Sequence, residues 1–195
     1  MTKPSFMKVF VLAMGLLVSA CQTYSLVSAE RTSIANKYSV EPAIKWNKKT
    51  IDDLVIWTVD GEALQQIQFF SGIKDGKSLF TLLDSSKQNN MPTFNQGMSL
   101  LEVREFIESS FKQAGAVNFE TRNFEPAKFG GKQGFRIDFT YAHKDGLRKL
   151  GFAKGAISDS KFFMIAYHGA KLHYYNKYLK NAEDVIRSMQ FVGTT

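Results

Sequence analysis

Three histidines, one cysteine, a Gly-x-Ser step and a few closely spaced charges are the groups in this 195-residue chain that chemistry would have to use. His143 lies in a Lys-Asp-Gly turn, His168 at the end of an apolar run and His173 ahead of a tyrosine-rich segment. None falls in the His-Glu-x-x-His or Cys-x-x-Cys spacing that brings several ligands to one ion, so neither a metal nor another cofactor is expected. Gly97-Met98-Ser99 lacks the second glycine of a nucleophile elbow and opens a helix, which makes Ser99 a cap. Gly130-Gly131-Lys132-Gln133-Gly134 precedes a strand and lacks Gly-Lys-Ser/Thr, so it reads as a hairpin turn rather than a phosphate loop. No pair of carboxylates stands out for glycoside chemistry, although acids distant in sequence can meet in a fold. Arg136 and Asp138 share one side of a strand, with Lys144 in the following turn and Arg148 or Lys149 expected opposite across the hairpin. That group is either a polar binding patch or cross-strand ion pairing at a solvated surface. Tyr174, Tyr175 and Tyr178 near Lys171, Lys177 and Lys180 either grip a glycan or headgroup, or pack a helix onto the sheet.

The one cysteine, Cys21, cannot form an internal disulfide, and its surroundings give it a different use. Lys3 and Lys8 stand without an acid, an apolar run follows from Val9 to Val18, and Ser19-Ala20 precedes the thiol. This is the layout of a secretory signal, and the run is shorter than the roughly 20 residues that a membrane span needs. Leu17-Val18-Ser19-Ala20-Cys21 resembles the bacterial lipobox, which implies a signal peptide over 1–20, cleavage before Cys21 and lipid on its thiol. Two or more acyl chains, at about 0.8 kcal/mol per buried CH₂, hold a protein to a bilayer almost permanently. Gln22 stands where aspartate would signal retention at the inner membrane, so the resemblance implies the inner leaflet of the outer membrane, facing the periplasm.

Without the first 20 residues the chain carries 23 basic and 18 acidic side chains. Residues 127–180 hold eleven Lys or Arg against three acids, whereas residues 21–126 hold eleven against thirteen. The basic half would be drawn to an anionic envelope component, if its lysines are not simply a solvated face. Nucleic acid is not expected as a partner of an exported, lipidated protein.

These groups need elements to position them. Residues 21–36, rich in Ser, Thr and Ala, read as a flexible tether, and 37–193 as a single domain. Short strands are expected at Ala43–Asn47, Leu54–Val59 and Leu64–Ser71, and the irregular stretch Asp84–Gly97 as the longest loop. Ser99 with Glu102 forms a capping box, Met98 and Val103 a hydrophobic staple, and Gly115 a stop, which defines a helix with Leu100, Val103, Ile107 and Phe111 at helical spacing. Beyond Ala116, alternation at Phe135–Tyr141, the strand Leu147–Ile157 and the doubly apolar run Phe162–Tyr167 give an antiparallel meander, and Leu172, Tyr175, Leu179, Ala182, Ile186 and Met189 at helical spacing give a C-terminal helix, clearest over Lys180–Met189. The expected fold is α+β: a largely antiparallel β-sheet with a mid-chain helix and a C-terminal helix packed on it.

Trp57-Thr58-Val59-Asp60-Gly61, Phe129 to Arg136, Lys144-Asp145-Gly146-Leu147 and His173 to Tyr178 together resemble small Gram-negative lipoproteins over most of the chain from Trp46 to Phe191. More distantly, the order of strands and the final helix resemble the PsbP and DcrB-like sandwich. That resemblance implies an accessory or binding module for an envelope component or envelope protein, anchored through Cys21, with an enzyme acting on an envelope polymer as the alternative.

Overall fold

The computed structural model describes residues 24–193. The signal peptide over 1–20 and the lipidation at Cys21 lie outside the described residues. The strands are β1 (Ser25–Val27), β2 (Thr32–Ile34), β3 (Tyr38–Val40), β4 (Trp46–Ile51), β5 (Leu54–Thr58), β6 (Gln65–Ile73), β7 (Val117–Phe129), β8 (Lys132–Ala142), β9 (Arg148–Ser158), β10 (Lys161–Ala170) and β11 (Gln190–Phe191). The helices are α1 (Ser85–Gln88), α2 (Leu100–Gln113) and α3 (Tyr174–Arg187). Eight strands form one sheet in the order β1-β4-β5-β6-β10-β9-β8-β7, and β11-β3-β2 make a small second sheet. Every pairing is antiparallel. The chain leaves the centre of the sheet after β6, crosses through α2 to the far edge at β7, and returns strand by strand until β10 lies beside β6.

Alternation along the strands splits the apolar residues between two cores. On one face α2 and the segment before it cover Phe70, Phe135, Ile137, Phe139, Phe162 and Met164. On the other, α3 and the small sheet cover Trp46, Trp57, Phe69, Ile165 and Tyr167. β10 is buried on both faces from Phe162 onward, as its uninterrupted apolar run requires. Each fully buried phenylalanine in these layers contributes about 1.5–3 kcal/mol of burial free energy. The α+β sandwich with a helix on each face of an antiparallel sheet is the architecture that the residue patterns imply.

α2 begins as its sequence dictates. The Ser99 N–H donates to Glu102 Oε2 at 2.7 Å and the Glu102 N–H donates to Ser99 Oγ at 3.4 Å. It ends at Gly115, where the Ala116 N–H reaches back to the Phe111 carbonyl and the Gly115 N–H to that of Lys112. The β7–β8 hairpin turns on Gly130-Gly131, with φ of +54° and +80°, the pair of left-handed residues a two-residue hairpin loop requires.

Three expectations are corrected. Residues 25–34, assigned to a tether, contribute β1 and β2, and Val27 and Ile34 are buried in the core. Composition masked them because each strand is three residues long and offers one inward side chain. β7 shows no clear strand pattern because it is the exposed edge, carries Pro126 and breaks register twice, so little alternation survives. α3 starts at Tyr174, ahead of Lys180 where its pattern is clearest, because Tyr175 and Tyr178 face the sheet and carry the apolar stripe through Asn176.

Candidate functional site

Strand alternation decides where the predicted charges go. Arg136 and Asp138 form an ion pair: Arg136 Nη2 lies 2.7 Å from Asp138 Oδ1, its Nε donates to the same oxygen at 3.1 Å, and the guanidinium sits 4.7 Å from the centre of the Phe152 ring. The residues opposite them on β9 are Lys154 and Phe152, not Arg148 or Lys149. Those two pair with Ala142 and Tyr141 near the other end of the hairpin. Lys149 shares its side of β9 with Gly151 and Ala153, so it points inward under the α2 layer and is only 2% exposed. Its ammonium donates to the Glu62 carbonyl at 3.3 Å, and burial lowers its pKa. The five candidates therefore occupy three environments: an ion pair in mid-strand, a buried lysine, and Lys144 with Arg148 exposed at the end of the hairpin.

The tyrosine and lysine cluster packs α3 onto the sheet. Tyr167 stacks on Tyr175 with centroids 5.5 Å apart and donates to the Tyr175 carbonyl at 2.8 Å. Tyr178 and Lys177 both donate to Asp60 Oδ2, at 2.9 and 2.8 Å. The Lys177 hydrogen bond holds the Asp60 carboxyl below the usual carboxylate range, so the β5–β6 turn is clamped to α3.

A polar strip missed at the sequence level runs under the last turns of α2. His168 on β10 is 2% exposed, and its Nδ1 lies 2.8 Å from the Tyr141 hydroxyl on β8. Burial drives its pKa well below the ordinary value, reinforced by the charge of Lys149, so the imidazole is neutral. Gln66 sits directly across from it on β6. His168 Nε2, Gln66 Oε1, Gln68 Oε1 and Ser110 Oγ are buried without a hydrogen-bond partner among the described residues. A neutral imidazole against a phenol has the parts of a proton relay, but at this burial it cannot touch a substrate. The signal available beforehand was Gln66-Ile67-Gln68, polar residues alternating through a strand covered on both faces. His143 is exposed in its turn and His173 precedes α3 without a side-chain cap. Among the described residues no group of three or more His, Cys, Asp or Glu is placed to hold a metal ion.

A cleft of about 860 Å³ opens between the β4–β5 turn, the end of β6 and residues 74–81. Leu54, Phe70, Leu79 and Phe80 form its apolar floor, and Lys37, Asp52, Asp53, Lys74 and Lys77 its charged rim. An apolar floor beneath a charged rim, in that volume, suits a small ligand or a peptide side chain. The long loop expected at 84–97 contains α1, and it is held to the cleft wall where the Phe94 N–H donates to the Lys77 carbonyl and the Gly76 N–H to that of Phe94, both at 2.8 Å. A smaller recess of about 240 Å³ lies at the start of α2, lined by Met98, Leu100, Pro126 and Ile157.

No protein-family model matches the sequence, and no curated protein matches it significantly. Solved structures do match. CyanoP, the cyanobacterial PsbP of Synechocystis sp. PCC 6803, is 13% identical and aligns with a TM-score of 0.56 over 89% of this chain and 95% of its own. The Ran-binding protein Mog1p of Saccharomyces cerevisiae is 10% identical, with a TM-score of 0.50 over 89% of this chain and 97% of its own. LpqN of Mycobacterium tuberculosis, described as involved in cell envelope biogenesis, covers 89% of this chain and 87% of its own at 12% identity, but its TM-score of 0.36 carries no argument. Identities in this range show the fold alone, and that fold is PsbP-like.

Proposed function

We propose that this chain is an envelope lipoprotein, held to a membrane by acyl groups on Cys21, that works as a non-catalytic binding or accessory module for an envelope component. The observation that carries the reading is the position of the lone thiol, directly behind Leu17-Val18-Ser19-Ala20, with Gln22 favouring the inner leaflet of the outer membrane. The cleft beside the β4–β5 turn is the place where the module would take its partner, since it combines an apolar floor with charges of both signs at the rim. Mog1p, which shares the fold, binds Ran, so a sandwich of this type is capable of protein recognition. Lys144 and Arg148 add a second, purely electrostatic contact at the far hairpin.

The test is affinity capture from solubilised envelope with the acylated protein, comparing wild type with Phe80→Asp and with Lys144→Glu/Arg148→Glu. The reading expects a defined envelope component that is lost with Phe80→Asp and becomes salt-sensitive through the hairpin charges. Capture unchanged by Phe80→Asp removes the cleft from the account. Mass spectrometry of the mature N-terminus showing an unmodified thiol removes the anchor.

A further inference from the structure

We infer that the β1–β4 edge of the sheet is a membrane-docking surface, with Tyr24 and Leu26 set at the headgroup level of an anionic phospholipid leaflet and Lys45 and Lys48 against its charge. The inference rests on acylation of Cys21 and adds to that reading an orientation of the whole module.

Reach limits where the domain can sit. A tether extending to residue 36 would let the domain tumble freely above the bilayer. Instead the Tyr24 hydroxyl is already bonded to Glu62, β1 runs from Ser25, and Val27 is buried opposite Trp46 in the sheet. Three residues of fully extended chain span at most about 11 Å. The headgroup zone outside the hydrocarbon is itself roughly 5–7 Å deep. A lipid on Cys21 therefore holds Tyr24 at or just above the interface, and the domain has no slack with which to rotate that edge away.

The side chains presented there suit that position. Leu26 is 65% exposed and Tyr24 43%, an aliphatic and an amphipathic aromatic side by side on the outermost strand. Tyr24 is fixed: its hydroxyl donates to Glu62 Oε1 at 2.5 Å, and Lys49 holds the same carboxylate oxygen at 3.1 Å. Lys48 lies opposite Ser25 and shares its side of β4 with Trp46, so it flanks the edge from the face away from Tyr24 and Leu26; Lys45 is exposed one residue ahead of β4, and neither is in an ion pair among the described residues. Each unpaired lysine near an anionic leaflet strengthens its attachment. β1 is also an edge strand, the part of a sheet most in need of cover, and the bilayer surface supplies it.

The same geometry points the basic hairpin the other way. From β1 to β8 there are six strand spacings, or roughly 29 Å at about 4.8 Å each. Lys144 and Arg148 then face the periplasmic space rather than the membrane that anchors the protein.

The test uses the full acylated protein, whose native thiol is occupied by lipid, carrying Leu26→Cys, Lys45→Cys, Lys144→Cys or Leu172→Cys as the labelling site. Each is coupled to an environment-sensitive fluorophore and reconstituted into phosphatidylglycerol–phosphatidylethanolamine vesicles with nitroxide near the headgroups. Docking predicts that the labels at 26 and 45 lose most of their emission while the label at 144 keeps it. Removing the charge of Lys48 by Lys48→Gln should lower the docked population about fivefold. A label at 26 as bright as that at 144, or stronger quenching at the exposed Leu172 position than at 26, overturns the orientation. The intact mass of the same sample separates the two levels: an acylated protein with unquenched 26 and 45 sinks the docking alone, and a protein lacking acyl mass sinks the anchor and the docking together.

Discussion

His168 gives the domain a pH dependence that its buried position makes calculable. The imidazole faces Tyr141 on β8, Lys149 on β9, Gln66 on β6 and the Phe111 ring on α2, with His143 contributing charge from the nearby turn. None of these groups offers a negative charge, so the native state resists protonation at this site. The unfolded chain binds a proton at about pH 6.5. Stability is therefore fully present above that value and falls as the pH drops below it, since the unfolded state binds more protons than the native state. A native state taking up no proton loses about 1.2 kcal/mol between about pH 7 and about pH 5.5. This window lies above the range in which the carboxyls of Asp60, Asp84, Glu102 and Asp184, all lowered in the fold, begin to titrate. His168→Phe removes the ionisable group at similar volume; it also strands the Tyr141 hydroxyl, which costs about 1–3 kcal/mol at every pH. The slope, not the absolute stability, is the readout. Urea unfolding followed by the fluorescence of the buried Trp46 and Trp57 should show that the variant lacks the wild-type decline over this interval. Equal slopes for the two proteins would refute the claim that His168 is buried and neutral.

Three further outcomes follow from local geometry. Ser99→Ala should cost about 1 kcal/mol by loss of the cap on α2, seen as a lower urea midpoint at constant slope, and an unchanged midpoint would mean that the cap is not formed. Gly134→Ala should cost about 1–3 kcal/mol, because a Cβ there meets the Gly155 carbonyl oxygen and the Ala156 Cβ; an unaltered melting temperature rejects that close approach. Lys149→Met keeps the aliphatic stem and removes a buried charge, so unfolding at neutral pH should show stability within about 1 kcal/mol of wild type or above it, and a loss of several kcal/mol would show the ammonium bond to Glu62 to be a main support.

Legibility in the sequence tracked how local each feature is. α2 was readable at both ends because its cap, staple and stop lie within a few residues of the helix, β8 because its alternation is long enough to register and β10 because its apolar run is uninterrupted. β1 and β2 were not, since three residues show no period, and their burial depends on Trp46 and on the small sheet formed with β11. The same rule governs the site. Arg136 and Asp138, two apart on one strand, were readable as partners, whereas the opposite burial of Arg148 and Lys149 turned on a one-residue offset in strand parity. Contact between Tyr141 and His168 requires knowing that β9 alone separates β8 from β10. The cleft brings together residues 35–37, 51–54 and 70–81, and no local pattern announces that convergence.

Covering a sheet on both faces has a consequence for where such a protein can act. β6 and β10 lie at the centre, with α2 and its preceding segment on one side and α3 with the small sheet on the other. A ligand cannot reach those strands without displacing a layer whose buried phenylalanines contribute about 1.5–3 kcal/mol each. Recognition is left to the strand ends, the two edges and the segment between β6 and α2. β1 and β7 are the two margins of the sheet. The cleft opens beside the β4–β5 turn, one to three strands in from β1, so with the proposed anchor a partner seated there would be held close to the bilayer while the basic hairpin stays free to meet a second one. An accessory module of the kind proposed, bringing two envelope components together, needs two separated faces, and the cleft and the basic hairpin lie far enough apart along the sheet to serve as them.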